Sequence, residues 1–164
     1  MIDINMTTNV PPACVYVVSQ RYSIPQAVLY AIMKVEGGQV GKGHKNANGT
    51  RDWGPMQIND RWIKLIHRRY HYVTKKSIIN DPCTNVDIGA WILYNLWNKD
   101  KSLWVAVGHY HSYNIAEGNP YRIKVYAWYK KILRYRHGYR THNRIYNSKK
   151  RRVNHTKHVY LADE

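Results

Sequence analysis

The chain has 164 residues, of which 44% are hydrophobic, so it is long enough for one compact domain with a real core and an appendage. Lysine and arginine total 26 against 10 aspartates and glutamates, and the formal charge of +16 favours a polyanionic neighbour: nucleic acid, an anionic membrane or an acidic cell-wall polymer. A run of about 20 apolar residues is absent, which argues against a membrane span, and the first residues as written lack the basic start and apolar core of a signal peptide.

Apolar residues at helical spacing predict two helices near the N-terminus. The first covers residues 13–22 and the second covers residues 25–36, with Ser23 as its N-cap. Two glycines directly after Glu36 end the second helix. Residues 37–54 are rich in Gly and Asn, which predicts a long loop or a small hairpin.

Further helical segments follow the Gly-rich stretch. Apolar periodicity and capping residues place them at 56–69, at 86–97 after an Asp81-Pro82 start, at 102–111 with Ser102 as cap, and from Asn119-Pro120 to about Tyr135. The sequence therefore predicts a mainly α (α+β) fold with a small Gly-rich hairpin or loop between helices.

The composition changes near the C-terminus. After Gly138 the chain has few apolar residues and no helical stripe. This pattern predicts a folded domain at 12–137 and a basic, partly disordered tail at 138–164. The tail is interpreted either as an arm that docks on an anionic surface or a partner, or as a solvated segment with no specific role.

The two cysteines, Cys14 and Cys83, leave two interpretations open. A zinc knuckle or a thioredoxin-like site is not supported, because no Cys-x-x-Cys is present. One interpretation is a pair of free thiols in a reducing cell. The other is a disulfide closing a loop of about 70 residues, which would add about 4 kcal/mol of stability and implies an oxidising compartment.

Glu36 is distinctive among the few acids, most of which are terminal or lie near predicted helix starts, where capping and solvation explain them. It ends an apolar helix, and the glycines after it permit another segment to approach closely. A carboxyl group at the apolar end of a buried helix loses its water, which raises its pKa toward the range that a general acid needs. The alternative is an ordinary helix-end Glu that faces solvent.

The run Gly54-Pro55-Met56-Gln57-Ile58-Asn59, which follows Glu36 and the Gly/Asn-rich loop, is the most specific pattern in the chain. Together with residues 106–112, Ala-Val-Gly-His-Tyr-His-Ser, it resembles the catalytic domain of the soluble lytic transglycosylases. The small transglycosylases of conjugation and type IV secretion machines are more similar still, in Glu36-Gly37-Gly38, Asn48-Gly49-Thr50-x-Asp52, Asp81-Pro82-Cys83 and Tyr110-His111-Ser112. The resemblance extends from about residue 12 to about residue 135.

Asp52 points to a second resemblance. It lies two residues before a Gly-x-x-Gln-Ile-Asn run and after an Asn-Gly-Thr turn, as an Asp does in c-type lysozymes. The transglycosylase family at large mostly works with one acid. The combination resembles a site with features of both groups.

These resemblances imply a lysozyme-like fold and an enzyme that cleaves the β-1,4 bond between MurNAc and GlcNAc in peptidoglycan, without cofactor or metal. Glu36 is implied as the proton donor and then the base. Deprotonation of the MurNAc C6 hydroxyl would close a 1,6-anhydro ring, whereas activation of water would give a lysozyme-like hydrolase. Asp52 is implied as a stabiliser of the developing positive charge or as a nucleophile.

The supporting residues are assigned by the same resemblance. Met56 and Gln57 are expected to line the cleft, and Tyr110 matches the tyrosine that orients the catalytic Glu. His111 stands where many members have Asn and is expected to bind substrate. Asn59 is expected to hold the hairpin to the following helix.

The resemblance also implies a Cys14–Cys83 disulfide and a periplasmic or secreted protein that serves a secretion or conjugation apparatus. The protein is expected to be a monomer. His67/His71 and His109/His111 have spacings compatible with a metal, but no third ligand is identifiable, so no metal site is predicted. The competing functions are a lysozyme-like muramidase and a non-catalytic basic protein that binds the wall or DNA.

Overall fold

A computed structural model describes residues 9–136. The chain divides into two compact units, Met1–Tyr129 and Lys130–Glu164. The fold described below is that of the first unit; in the second, residues 130–136 are helical. The tail predicted at 138–164 and the boundary before it lie outside the described residues, so both stay predictions.

The described residues form helices and one small antiparallel sheet, which confirms the predicted mainly α fold with a hairpin. Along the chain the elements are α1 Pro12–Tyr22, α2 Gln26–Glu36, β1 Gly43–Lys45, β2 Arg51–Trp53, β3 Ile58–Asn59, α3 Asp60–Arg69, α4 Lys75–Asn80, α5 Pro82–Asp100, α6 Leu103–His111 and α7, residues 115–136. Within residues 9–136, none of these helices has both the length and the apolar character to cross a membrane.

Helix α2 is the centre of the core. Every position from Ala27 to Met33 is buried, so the helix is covered on all sides rather than along one stripe. It ends at Glu36, because Gly37 adopts a left-handed conformation (φ 64°) and its N–H donates to the Met33 carbonyl. The carboxyl side chain of Glu36 is thereby placed at the end of a buried apolar helix.

Helix α5 packs against α1, α4 and α6 and presents a long apolar face to them. Asp81 caps it by accepting hydrogen bonds from the N–H groups of Cys83 and Thr84. The disulfide implied by the resemblance is present: Cys14 of α1 is joined to Cys83 in the first turn of α5, with 5.1 Å between their Cα atoms.

Removing this disulfide is expected to lower the free energy of unfolding by about 4 kcal/mol, because the cross-link restricts the unfolded chain over a long loop. Urea unfolding of the protein with and without reductant measures the difference. The Cys14→Ala/Cys83→Ala variant is the control, since it should match the reduced protein and ignore the reductant. Equal stability of the oxidised and reduced proteins would contradict this expectation.

The sheet has the order β1-β2-β3, with both pairs antiparallel. Asp52 in the middle strand faces His44 on one side and Asn59 on the other. The helix predicted over 56–69 begins only at Asp60. Gln57 has a left-handed conformation (φ 48°) and lies in a turn, and the two residues between it and Asp60 form strand β3. The sequence prediction was wrong here because the apolar residues of 56–58 match a helical spacing while the backbone turns.

Two other helix starts and one whole helix differ from the predictions. Ser23, the predicted N-cap of α2, instead ends α1 in a left-handed conformation (φ 55°), and Pro25 precedes α2 without a side-chain cap. Helix α7 begins at residue 115, so Asn119-Pro120 lies within its first turns rather than before it. The short α4 was not predicted; Thr74 and Ser77 form a capping box at its start.

Candidate active site

Glu36 is held at the end of α2 by a tyrosine from α7. The Tyr121 hydroxyl donates a 2.5 Å hydrogen bond to Glu36 Oε1, and Tyr121 itself is 5% exposed. Burial raises the pKa of Glu36 from 4.5 to about 7; the hydrogen bond from Tyr121 opposes this shift, and the nearby charge of Asp52 adds to it. The carboxyl group therefore carries a proton over much of the neutral range, as a general acid must.

Asp52 is held by two amide groups, one from each neighbouring strand region. Asn46 Nδ2 donates to Asp52 Oδ2 at 2.8 Å, and Asn59 Nδ2 donates to Asp52 Oδ1 at 2.6 Å. Both amides also contact Thr50 Oγ1, at 3.2 Å and 3.0 Å. Asn59 Oδ1 in turn accepts from the Arg61 N–H and caps α3. The hairpin, the second acid and the start of α3 thus form one hydrogen-bonded group.

Both acids line a cleft of about 700 Å³. Among the predicted site residues, Gln57, Asn59, Tyr110 and His111 also line it. Such a volume accommodates several sugar rings or a drug-sized molecule. The residues singled out from the sequence are separated by up to 75 positions in the chain (Glu36 to His111), and the structure brings these six to one surface.

The close approach predicted for the glycines after Glu36 occurs at Gly38. A Cβ on Gly38 would lie 2.0 Å from the Gly54 carbonyl oxygen and 2.4 Å from Gln57 Nε2. Gln57 Nε2 donates to that same carbonyl at 2.8 Å. The absence of a side chain at Gly38 therefore permits the Gly-Pro-Met-Gln turn to pack beside the catalytic helix.

Met56 lies behind the cleft rather than on its wall. Its side chain is fully buried and packs against Gly89 of α5, where a Cβ would meet Met56 atoms at 2.7 Å. Its N–H donates to Asn85 Oδ1 at 2.8 Å, and its carbonyl accepts from the Tyr110 hydroxyl at 2.8 Å. This placement fits a packing role, which differs from the direct sugar contact expected from the sequence.

The tyrosine that hydrogen-bonds Glu36 is Tyr121, and not Tyr110 as expected. Tyr110 instead donates to the Met56 carbonyl, which ties α6 to the turn carrying Gln57. Burial raises the pKa of Tyr110 well above its ordinary value, and the charges of Glu36 and Asp52 add to the shift, so its hydroxyl stays protonated beside the acids. The hydrogen bond to Glu36 that the resemblance implied for Tyr110 is thus made by Tyr121 of α7.

Tyr121→Phe is expected to lower kcat/KM about tenfold and to move the alkaline limb of its pH profile upward. The reason is that the lost hydrogen bond favours the ionised form of Glu36, so its removal raises the pKa of Glu36 further above 7. A pH profile of glycan cleavage measures the shift. Tyr110→Phe is the matched control: if it moved the limb and Tyr121→Phe did not, the orienting residue would be Tyr110.

His111 stacks on the tyrosine that contacts Glu36. The rings of His111 and Tyr121 are parallel within 4°, with centroids 4.6 Å apart. Two of the other histidines considered as metal ligands have protein partners: His109 Nδ1 lies 2.8 Å from Asp100 Oδ2, and His67 Nδ1 lies 3.0 Å from the Val73 carbonyl. The ring of His71 contacts that of His67 edge to face. Residues 9–136 contain no group of three or more His, Cys, Asp or Glu side chains placed to hold a metal ion.

Three residues of the site were missed by the sequence reasoning. Tyr121 carries no local signal, since it is one of 15 tyrosines and lies 85 positions from Glu36. Asn85 is a buried amide inside an apolar helix. A polar residue among apolar helix positions indicates a buried side chain with hydrogen-bond partners, and this signal was present in the sequence. Asn46 precedes an Asn-Gly turn, and a two-stranded hairpin around that turn places it next to Asp52.

Known proteins match the chain over this whole region. The family model described as the transglycosylase SLT domain matches residues 13–134. Protein IpgF of Shigella flexneri is 34% identical over 118 residues, covering 70% of this chain and 76% of that protein. A peptidoglycan-binding-like protein of Escherichia coli O157:H7 is 25% identical over 130 residues, covering 73% and 78%. Invasion protein IagB of Salmonella typhimurium is 32% identical over 97 residues, covering 57% and 58%.

The family match includes both acids, the turn at 54–59 and Tyr121, so it spans every element that builds the cleft. An acid with a raised pKa at the end of a buried helix, facing a cleft of polysaccharide size, agrees with the chemistry of that family. The chain therefore belongs to the transglycosylase SLT domain family and is a peptidoglycan lytic transglycosylase.

Proposed function

We propose that the enzyme cleaves the β-1,4 bond between MurNAc and GlcNAc and releases 1,6-anhydro-MurNAc ends. Glu36 donates its proton to the glycosidic oxygen as the bond from C1 to that oxygen breaks. The carboxylate then takes the proton of the C6 hydroxyl while O6 bonds to C1. No water is consumed. The observation that carries this proposal is the placement of Glu36: it lines the cleft, accepts a hydrogen bond from Tyr121, and burial raises its pKa to about 7.

Asp52 stabilises the positive charge that develops on the sugar ring as the bond breaks. Its two oxygens already accept hydrogen bonds from Asn46 and Asn59, at 2.8 Å and 2.6 Å. Such bonds fix the carboxylate in place and reduce its reactivity toward carbon, which favours electrostatic stabilisation over covalent attack. The amides contribute by holding the charge at one position, so no reorganisation is needed when the transition state forms.

The remaining residues bind or position substrate and acid. Gln57 forms part of the cleft wall that contacts the glycan, and its amide donates a hydrogen bond to the Gly54 carbonyl. His111, at the end of α6, contacts substrate while its ring stacks on Tyr121. Tyr110 and Met56 position the turn that carries Gln57.

The cellular role we propose is local opening of the cell wall for a secretion or conjugation apparatus, in the periplasm or outside the cell. The name of the Salmonella relative, an invasion protein, is compatible with service to such an apparatus. The charge of +16 supports steering of the protein, as a monomer, toward an acidic wall polymer, with the tail at 138–164 as an additional contact. No cofactor is required by this reaction.

A lysozyme-like hydrolase is the second candidate, because the Asp52 group resembles the lysozyme arrangement. The two reactions differ only in what Glu36 deprotonates. Mass spectrometry of muropeptides released from purified peptidoglycan separates them: anhydro-MurNAc ends are expected, whereas reducing-end MurNAc would establish the hydrolase.

The control is Glu36→Gln, which keeps the size of the side chain and its ability to accept the Tyr121 hydroxyl. Anhydro products that disappear in this variant support the proposed mechanism. Binding of both proteins to the wall with no release by either would instead favour the non-catalytic alternative.

A further inference from the structure

One face of α3 carries three cations in a row. Positions 63 and 66 of this helix are buried, and the positions opposite them on a helical wheel point outward. These outward positions are all exposed, and they are Arg61, Lys64, Leu65 and Arg68. We refer to these four residues as the α3 stripe.

The charges of the α3 stripe are not neutralised within residues 9–136. Arg61, Lys64 and Arg68 have no carboxylate partner among the described residues. The acid at the start of the helix, Asp60, is already engaged: it accepts from Trp53 Nε1 at 2.8 Å and from Lys75 Nζ at 3.0 Å. Three like charges on one helix face repel one another, so this arrangement favours an external anion.

The α3 stripe begins at the active site. Arg61 lines the catalytic cleft together with Glu36 and Asp52. The helix is fixed to the second acid, because the Asn59 side chain caps α3 and donates to Asp52. The stripe therefore runs from the cleft that both acids line along the outer face of α3.

The dimensions match a short peptide. From Arg61 to Arg68 is seven positions, or roughly 10 Å along the helix at about 1.5 Å per residue. An extended peptide spans about 3.3 Å per residue, so roughly three of its residues cover this distance. Leu65, 48% exposed among the cations, offers apolar contact for a small side chain such as alanine.

We propose that the α3 stripe binds the carboxylates of the stem peptide attached to MurNAc, so that the enzyme selects glycan that still carries its stems. The stem peptide leaves the sugar next to the bond being cleaved, contains alanine and carries several carboxylates within a few residues. Arginine binds carboxylates well, since its guanidinium donates two parallel hydrogen bonds. This inference relies on the proposed peptidoglycan substrate but not on the proposed product.

The test measures binding by the inactive Glu36→Gln protein, so that no cleavage occurs. Three immobilised ligands are compared: glycan strands with intact stems, strands whose stems have been removed by an amidase, and strands whose stem carboxylates have been converted to amides. We expect tighter binding to intact stems than to either of the other two. Replacing the three cations (Arg61→Gln, Lys64→Gln, Arg68→Gln) is expected to reduce that preference about tenfold, since exposed ion pairs contribute modestly and add up.

The matched control removes the same amount of charge elsewhere. Lys42→Gln, Lys101→Asn and Lys124→Gln change three exposed cations that do not line the cleft. Asn replaces Lys101 because that residue is left-handed (φ 59°). If the control loses the preference as fully as the α3 variant does, net charge and not the stripe selects the stems, and the proposal is overturned.

Two further results decide against the stripe. Equal binding of the Glu36→Gln protein to intact and stem-free strands overturns it, even if the wild-type enzyme releases anhydro products. Equal binding to intact and amidated stems overturns it as well, because the carboxylates would then be irrelevant. Reducing-end products from the wild type, by contrast, would remove the proposed reaction and leave a positive binding result as support for the stripe.

Discussion

Glu36→Gln is expected to reduce the rate of glycan cleavage by about 10³-fold or more. The substitution removes the group that we propose donates a proton to the leaving oxygen and takes one back, and each such transfer contributes up to about 10⁴-fold. The amide still accepts the Tyr121 hydroxyl, so the site geometry is kept. Release of soluble muropeptides from purified peptidoglycan, followed over time, measures the loss.

The matched control is Glu117→Gln, because Glu117 is another acid that lines the same cleft. Glu117 is exposed and lies at the start of α7, so it lacks the burial of Glu36. We expect a loss of less than about tenfold, because an exposed side chain outside the proposed proton transfer contributes little to the reaction. A loss as large as that of Glu36→Gln would contradict the assignment of the proton donor.

Glu36→Gln is also expected to stabilise the folded protein at alkaline pH. Folding raises the pKa of Glu36 from 4.5 to about 7, so between these values the folded state binds the proton more tightly than the unfolded state does. The wild-type free energy of unfolding therefore falls as the pH rises through this window. Glutamine does not ionise, so Glu36→Gln should be the more stable protein by about 2–3 kcal/mol at pH 8 and lose this advantage near pH 4.

The pH dependence of activity follows from the same group. Glu36 must be protonated to act as an acid, so kcat/KM should fall as the pH rises above about 7. Urea unfolding and cleavage rates, each measured from pH 4 to pH 9, test the two expectations separately. A Glu36→Gln protein that is less stable than the wild type at pH 8 would mean that the carboxylate is stabilised, and not penalised, by its surroundings.

Asn85→Ala is expected to lower the free energy of unfolding by about 5 kcal/mol. The Asn85 side chain is fully buried and makes three hydrogen bonds to backbone groups: it accepts from Met56 N–H at 2.8 Å and donates to the carbonyls of Trp53 and Ile78 at 2.9 Å and 3.0 Å. Alanine leaves all three groups buried without a partner, and each such group costs about 1–3 kcal/mol. Activity should fall as well, because these bonds hold the turn before Gln57 against α5.

The control for this prediction is Asn95→Ala on the same helix. Asn95 is exposed, and its side chain donates to the Trp91 carbonyl at 2.7 Å, a bond that water can replace. Its loss should cost less than about 1 kcal/mol. Urea unfolding of the two variants side by side gives the comparison, and equal costs would show that Asn85 does not secure the hairpin.

The sequence predicts those features of the fold that depend on residues close together in the chain, and it predicts poorly those that depend on distant residues. Helices α1, α2 and α6 were predicted within one residue of their observed bounds, because the spacing of their apolar residues records which face is buried. The prediction for α5, residues 86–97, was three to four residues too short at each end, since the helix runs from Pro82 to Asp100. The Cys14–Cys83 bond, in contrast, was left open by the spacing and followed only from the family resemblance. The start of α3 was wrong, because a left-handed Gln57 cannot be recognised from its residue type.

For the site, the sequence alone singled out Glu36 and the family pattern added Asp52, since each lies in a short distinctive stretch. Which groups control these acids was decided by packing. Tyr121 of α7 hydrogen-bonds Glu36 across 85 positions of the chain, and Asn85 of α5 hydrogen-bonds Met56 across 29. Such hydrogen bonds form only when packing brings two distant segments together, and the residues around each partner in the sequence do not show which segments will meet. The sequence therefore indicated which acid to consider, whereas the raised pKa of that acid comes from its burial in the folded chain, and the hydrogen bond that opposes this shift comes from a tyrosine that only the fold brings to it.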